Sequence, residues 1–299
     1  MFAKIFEHAV IGLEGFELTD QEKNWLKNHT PKGVILFARN VQSPKQTKAL
    51  LEDVRKHAGK DIWAAIDEEG GRVHRMPWSP FNGRTQAGDF GLLFAKDPDK
   101  AIKQVFQDSY KAGTALKELG FTHNCAPVLD ISCPQGDPII GSRAYAKDAD
   151  TIATLATACM FALHDAGIDA IGKHFPGHGR ADADSHLAMP EVGADLDTIL
   201  QEADVFSQLF QKGLKHIMTA HVAYPNINKE VATFSKYWLQ DVLQDDMAFK
   251  GDIWSDDLCM QGCGMPIPEA AEKAMDAGCT VLLVCEPDGV QEFMATFTS

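Results

Sequence analysis

The chain has 299 residues, 45% of them hydrophobic and 23% charged, the composition of a folded protein with room for one large domain or two ordinary ones. A formal net charge of −14 without a basic cluster argues against nucleic acid, whose phosphates need concentrated Lys and Arg. No apolar run reaches the roughly 18 residues of a transmembrane helix, and the N-terminal MFAKIFEHAVIGLEGFEL has charges and no small-residue cleavage site, so it does not read as a signal peptide.

Short apolar runs alternate with amphipathic helices along the chain. AVIGLEG (9–15) and GVILFA (33–38) read as the first two strands. PKQTKALLEDVRKHAG (44–59) is a helix with Leu50, Leu51 and Val54 on one side. IWAAID (62–67) and FTHNCAPVLD (121–130) are strands three and four. The helix DADTIATLATACMFALHDAG (148–167) closes on Gly167, a suitable C-cap. Strand five is IDAIGKHF (168–175) and strand six LKHIMTAH (214–221). SKYWLQDVLQDDMAF (235–249) is helical, DIWSDD (252–257) is strand seven, MPIPEAAEKAMDAG (265–278) is helical, and TVLLVCE (280–286) is strand eight. A short last helix begins at about Gly289. Eight such alternations predict a single (β/α)8 TIM barrel over 1–299 as one domain. An open doubly wound sheet would place G-x-G-x-x-G after an early strand, and none follows the first three.

The seven cysteines, Cys125, Cys133, Cys159, Cys259, Cys263, Cys279 and Cys285, are odd in number and sit mostly in apolar runs, as expected of reduced residues in a cytoplasmic protein. Cys259-x3-Cys263 has no second pair to complete a zinc knuckle.

Ionisable residues gather where strands end: Asp67 after strand three, Asp130 after four, Lys173 and His174 in five, His221 after six, Asp256 and Asp257 in seven. In a barrel those ends converge on one face, where catalytic groups sit. The segment KHFPGHGRADADSH (173–186) has little to pack and many groups that carry chemistry. A metal site could draw on His174, His178, Asp184, His186 and His221, although no H-E-x-x-H spacing occurs. Phosphate binding by Gly177-His178-Gly179 lacks a P-loop's Lys-Ser/Thr. Glycoside hydrolysis needs a carboxylate near the anomeric carbon and a proton donor opposite; Asp256 suits the first role, and His186 held by Asp184 suits the second. Asp182 reads as solvated loop charge, Asp257 as pointing away from the site, His178 as either a brace or a direct participant, and Glu68 and Glu69 as positioning Arg72 or Arg75.

GVILFARN (33–40), DEEGGRVHR (67–75), APVLDI (126–131), GSRAY (141–145), KHFPGHG followed by DSH (173–186), MTAH (218–221) and SDDLCM (255–260) together resemble the bacterial β-N-acetylhexosaminidases of glycoside hydrolase family 3, the NagZ type. The resemblance implies a retaining exo-β-N-acetylglucosaminidase acting on muropeptides in peptidoglycan recycling. Asp256 would be the nucleophile, His186 the general acid/base and Asp184 its dyad partner. Asp67, Arg75, Arg143, Lys173 and His174 would bind the sugar. It implies a cytoplasmic monomer with a small carbohydrate or muropeptide as its partner, no metal, no cofactor, and neither nucleic acid nor membrane. The alternative within the family is an N-acetylglucosaminide phosphorylase, since a histidine acid/base adds no fixed negative charge to repel phosphate.

Overall fold

The computed structural model describes residues 4–134, 136–185 and 189–298. Strands β1 (Ala9–Gly12), β2 (Gly33–Leu36), β3 (Trp63–Ile66), β4 (His123–Asn124), β5 (Asp169–Phe175) and β6 (His216–Thr219) pair in parallel in chain order. A small antiparallel hairpin, β7 (Ala223–Tyr224) and β8 (Asn228–Val231), follows β6. Then β9 (Asp252–Asp257) pairs with β6, and β10 (Val281–Val284) pairs with β9 and closes the barrel on β1. The eight expected strands are thus the eight staves of a closed parallel barrel, the TIM-barrel fold.

Helices α1 (Asp20–Asn28), α2 (Pro44–Ala58), α3 (Ala87–Phe94), α4 (Pro98–Leu119), α5 (Ala149–Asp165), α6 (Leu196–Phe210), α7 (Ile267–Ala277) and α8 (Pro287–Phe297) run between and after the strands. Local chemistry starts five of them. Thr19, Ser43, Asp97, Asp148 and Asp195 each accept a hydrogen bond from the backbone N–H three residues on, satisfying a donor with no partner inside the helix. The segment expected to be helical at 235–249 winds with π spacing over Tyr237–Asp246 and buries Trp238, Leu239, Val242 and Leu243.

Strand four is much shorter than the ten-residue run that predicts it. Pro127 has no N–H to give a ladder. Pairing nevertheless continues irregularly, with Lys173 N–H donating to Pro127 O (3.2 Å) and Leu129 N–H to Lys173 O (2.6 Å). Those bonds carry the chain on to Asp130.

Alternate strand residues face inward, because side chains on a strand repeat every two positions. Val10, Ile35, Ala65, Cys125, Ile171, Met218, Trp254, Val281 and Leu283 form an apolar tier inside the barrel. The outward set, including Ile11, Val34, Ile66, Ala170, Ile217, Ile253 and Leu282, packs with the helices in a second and larger core. Stepping two residues towards the strand ends from the inner tier reaches Asp67, Lys173 and Asp256. Stepping two residues the other way reaches Trp63, His123, Asp169, His216 and Asp252.

Two glycines explain how the chain leaves β5. Gly177 has φ 152°, a region that side chains disfavour, and a Cβ on Gly179 would stand 1.7 Å from Ile131 O. Gly179 is therefore a close-approach glycine. The returning limb of this loop is tied to the hairpin by Ala223 N–H to Pro190 O (3.0 Å) and Val192 N–H to Ala223 O (2.9 Å).

Ile171 is fully buried in the inner tier. Replacing Ile171 by Ala is expected to lower the unfolding free energy by about 2–5 kcal/mol, because the closed barrel cannot collapse onto the void. Urea denaturation of the two proteins measures it.

Candidate active site

Asp67, Arg75, Arg143, Lys173, His174 and Asp256 line one cleft at the C-terminal ends of the strands, with about 620 Å³ of space open to solvent. Each comes from a different place in the chain: Asp67 just past β3, Arg75 from the β3–α3 loop, Arg143 from the loop before α5, Lys173 and His174 from β5, Asp256 from β9. Ile35, Phe37, Met218 and Leu283 floor the cleft with apolar surface.

Lys173 is only 2% exposed, so its ammonium must be paired where it lies. It sits 2.5 Å from Asp67 Oδ1 and 2.7 Å from Glu69 Oε1. Arg75 Nη2 donates to the other oxygen of Asp67 (3.0 Å). Arg143 grips Glu69 with two bonds, Nε to Oε2 (2.8 Å) and Nη2 to Oε1 (2.7 Å), the bidentate geometry that a guanidinium is built for. Three cations thus meet two carboxylates. Burial alone would raise both carboxyls, but Lys173 and then Arg75 pull Asp67 well below its ordinary range, and Lys173 and Arg143 do the same to Glu69. Lys173 is raised in turn: its burial works against the charge and the two carboxylates outweigh it. Asp67 therefore stays ionised, able to accept from hydroxyl groups, while the surrounding cations supply directional donors.

Sequence reasoning assigned Glu69 to Arg72 or Arg75. Its partners are Arg143 and Lys173 instead, and Arg72 reaches the carbonyl of Ile139. Neither partner is near Glu69 in sequence, so no local pattern reveals the pairing. Glu68 is the carboxylate that serves Arg75, accepting its backbone N–H (2.9 Å).

Asp130 stands behind the cleft. Its Oδ2 lies 2.7 Å from His174 Nδ1, and its Oδ1 accepts the N–H of His178 (2.7 Å) and of His174 (3.3 Å). Burial opposes its charge, but His174 overrides this and holds the carboxyl down to about 2. An ionised Asp130 fixes the His174 tautomer with Nδ1–H towards itself, leaving Nε2 for another partner. The Gly177-His178-Gly179 bend therefore gives its central N–H to a carboxylate of the protein, not to a phosphate. His178 both braces and faces the site: it lines the cleft, and Nε2 lies 3.2 Å from Ser185 Oγ.

Asp256 is 8% exposed. Its N–H donates to Thr219 Oγ1 (3.2 Å), and its Oδ1 accepts from Asp257 N–H (2.8 Å). Thr219 Oγ1 continues to Thr233 Oγ1 (2.8 Å) and His221 Nδ1 (2.9 Å from Thr233 Oγ1), while His221 Nε2 donates to Asp257 O (3.0 Å). His221, expected at the catalytic face, is fully buried and braces the end of β9 from behind; burial lowers its pKa and keeps it neutral. Asp257 turns its Oδ1 to the N–H groups of Cys259 and Cys285, both at 3.0 Å, so it has a structural partner set of its own.

Asp184 is half-buried on the loop beside Ser185, which does line the cleft; His186 lies outside the described residues. Asp182 is exposed, yet its carboxylate is not merely solvated: it accepts Glu191 N–H (2.8 Å) and holds the loop's return. Among the described residues the suggested metal ligands His174, His178, Asp184 and His221 form no group within reach of one ion, and none of the seven cysteines is in a disulfide. Among the described residues no helix is long and apolar enough to cross a membrane.

Glu69→Gln removes the anchor shared by Lys173 and Arg143. Unfolding free energy should fall by about 3–5 kcal/mol, as for a broken buried pair, and kcat/KM should fall on the order of 10²-fold through misplaced donors. Urea titration and steady-state kinetics read the two losses. A second expectation concerns pH. Burial raises Glu68 to about 7, above the unfolded carboxyl value of about 4.3. Its contribution is present below the unfolded value and is lost as pH rises through 7. Stability curves at pH 5 and pH 8 should therefore show the wild type losing more on going to pH 8 than Glu68→Gln.

Residues 4–297 match the glycosyl hydrolase family 3 N terminal domain. The chain is 36% identical over 292 residues to a Beta-hexosaminidase of Nitrosomonas eutropha, covering 96% of this chain and 83% of that protein. It is 37% identical over 290 residues to a Beta-hexosaminidase of Methylobacillus flagellatus, covering 96% and 82%. Its fold superposes with TM-score 0.90 and 34% identity on the crystal structure of NagZ from Neisseria gonorrhoeae in complex with N-trifluoroacetyl-D-glucosamine, over 97% of this chain and 85% of that one. The chain belongs to glycoside hydrolase family 3.

Proposed function

We propose that this protein is a retaining exo-β-N-acetylglucosaminidase that removes terminal β-linked N-acetylglucosamine from muropeptides during peptidoglycan recycling in the cytoplasm, acting as a monomer. The observation that carries the reading is the position of Asp256: a carboxylate at a strand end, in a cleft also lined by Asp67, Arg75, Arg143, Lys173 and His174. The Beta-hexosaminidase relatives and the glucosamine-derivative complex of the Neisseria gonorrhoeae protein support the choice of sugar.

In this mechanism Asp67 and His174 Nε2 accept bonds from sugar hydroxyls, and Lys173, Arg75 and Arg143 donate to sugar oxygens. The Asp256 carboxylate attacks the anomeric carbon, the glycosidic C–O bond breaks, and the leaving oxygen takes a proton from His186. Water then attacks the glycosyl ester, His186 takes its proton, and Asp256 is released as carboxylate. Asp184 orients the imidazole and favours its charged form. A histidine near its unperturbed pKa of about 6.5 can both give and take that proton.

A 2-fluoro glycoside with a good leaving group should label Asp256, seen by peptide mass spectrometry. Label on Asp257 or Asp67 would overturn the assignment. His186→Ala should slow substrates with poor leaving groups far more than activated aryl glycosides, and activated substrates should show a burst followed by slow deglycosylation. Asp184→Ala should follow in milder form. Equal losses on both substrate types without a burst would mean that the proton comes from elsewhere. Product analysis in phosphate buffer should give free N-acetylglucosamine; a sugar 1-phosphate would make the enzyme a phosphorylase.

A further inference from the structure

We propose that the opposite, N-terminal end of the barrel holds a structural site for a zinc-class divalent ion, ligated by His123, Asp169 and His216. These residues begin β4, β5 and β6, and the parallel register sets His123 beside Asp169. All three belong to the inward-facing rows, below the apolar tier that separates them from the catalytic cleft. One ligand atom from each lies within 4.8 Å of the others.

Neighbouring polar groups hold the two imidazoles in place. Thr122 Oγ1 accepts from Ala64 N–H (2.8 Å), and His123 Nδ1 sits 2.8 Å from the same oxygen. His123 Nε2 faces the Asp169 carboxylate, 4.0 Å away. That gap is too long for a direct hydrogen bond and takes a cation held by both groups. His216 is arranged in the same sense. Its Nδ1 lies 3.4 Å from Asp252 Oδ2, while Thr280 (3.1 Å) and Lys32 (3.5 Å) occupy Oδ1. Trp254 Nε1–H donates to Nδ1 (3.5 Å), so two neighbours hold the ring. Metal-bound histidine is usually oriented by a partner at its other ring nitrogen.

Two imidazoles and one carboxylate suit zinc and its neighbours; calcium and magnesium take oxygen donors. Bonds of about 2.0–2.2 Å require the ligand atoms to draw in slightly. Asp169 can supply that movement, since its side chain is 46% exposed, and the same exposure gives an ion its way in. The Trp63 ring leans on His123 with centroids 4.3 Å apart and the planes tilted by 37°, and closes one side. The ion would tie three adjacent strands together at the end of the barrel away from the chemistry.

The test uses full-length protein freed of metal by chelation and titrated with zinc chloride alone. Calorimetry and thermal melting should show one equivalent bound at this site, with stabilisation. His123→Gln and His216→Gln should each weaken binding by a hundredfold or more; Asp169→Asn, at a half-exposed position that folding tolerates, should weaken it at least tenfold. Crystals of the zinc-treated wild type should give an anomalous peak about 2.1 Å from His123 Nε2. No zinc uptake, equal uptake by wild type and all three variants, or a peak only in the cleft beside His174 and Asp256 would overturn the proposal.

Discussion

A strand closed into a parallel barrel must send every second side chain into a space with no exit except at the two ends. That constraint orders this molecule. The rows His123–Cys125, Asp169–Ile171–Lys173, His216–Met218 and Asp252–Trp254–Asp256 each run from one polar end through a dry middle, and the rows that continue reach the other polar end. Apolar residues fill the centre, where water cannot satisfy polar groups. Titratable residues are confined to the two tiers where partners or solvent are at hand. The outward rows carry no such burden and are almost wholly aliphatic against the helices.

At the catalytic end the consequence is mutual dependence. Lys173 is buried because its row points inward, and a buried ammonium is tolerable only when paired. Asp67 and Glu69 meet it, Arg143 fixes Glu69, and Arg75 fixes the second oxygen of Asp67. This wall of the cleft is therefore one electrostatic unit, held by its own ion pairs. Little of its free energy is spent on ordering at the moment of binding, the condition for donors to act through position. Glu68 differs because its Oε1 is buried with no hydrogen-bond partner and Arg84 is no nearer than 3.7 Å, so burial prevails there.

The end of β5 is where rigidity passes into the long loop. Asp130 holds His174 through ring and backbone and catches the His178 N–H beyond it, so the first residues of the loop are as fixed as the strand. Farther on, Asp182 and the β7–β8 hairpin hold the return. Ser185, between these anchors in sequence, lines the cleft. Lys173 and His174 stand on the strand end, and Asp184 stands on the loop beyond it.

The sequence by itself determined the elements and their order. Eight short β-rich runs, amphipathic helices between them and ionisable residues at the run ends are local patterns, set by side-chain period and by the chemistry of helix starts. The motifs DEEGGRVHR, KHFPGHG and SDDL carried the family, and they place Asp67, Lys173, His174 and Asp256 where the folded cleft has them. Partnerships were not legible. That Glu69 belongs to Arg143 and Lys173, that His221 supports β9 from behind, that Asp130 clamps His174, and that His123 meets Asp169 and His216 are facts of barrel closure. Closure sets residues from distant strands side by side, and a hydrogen bond or ion pair depends on ångströms of separation that no spacing along the chain encodes.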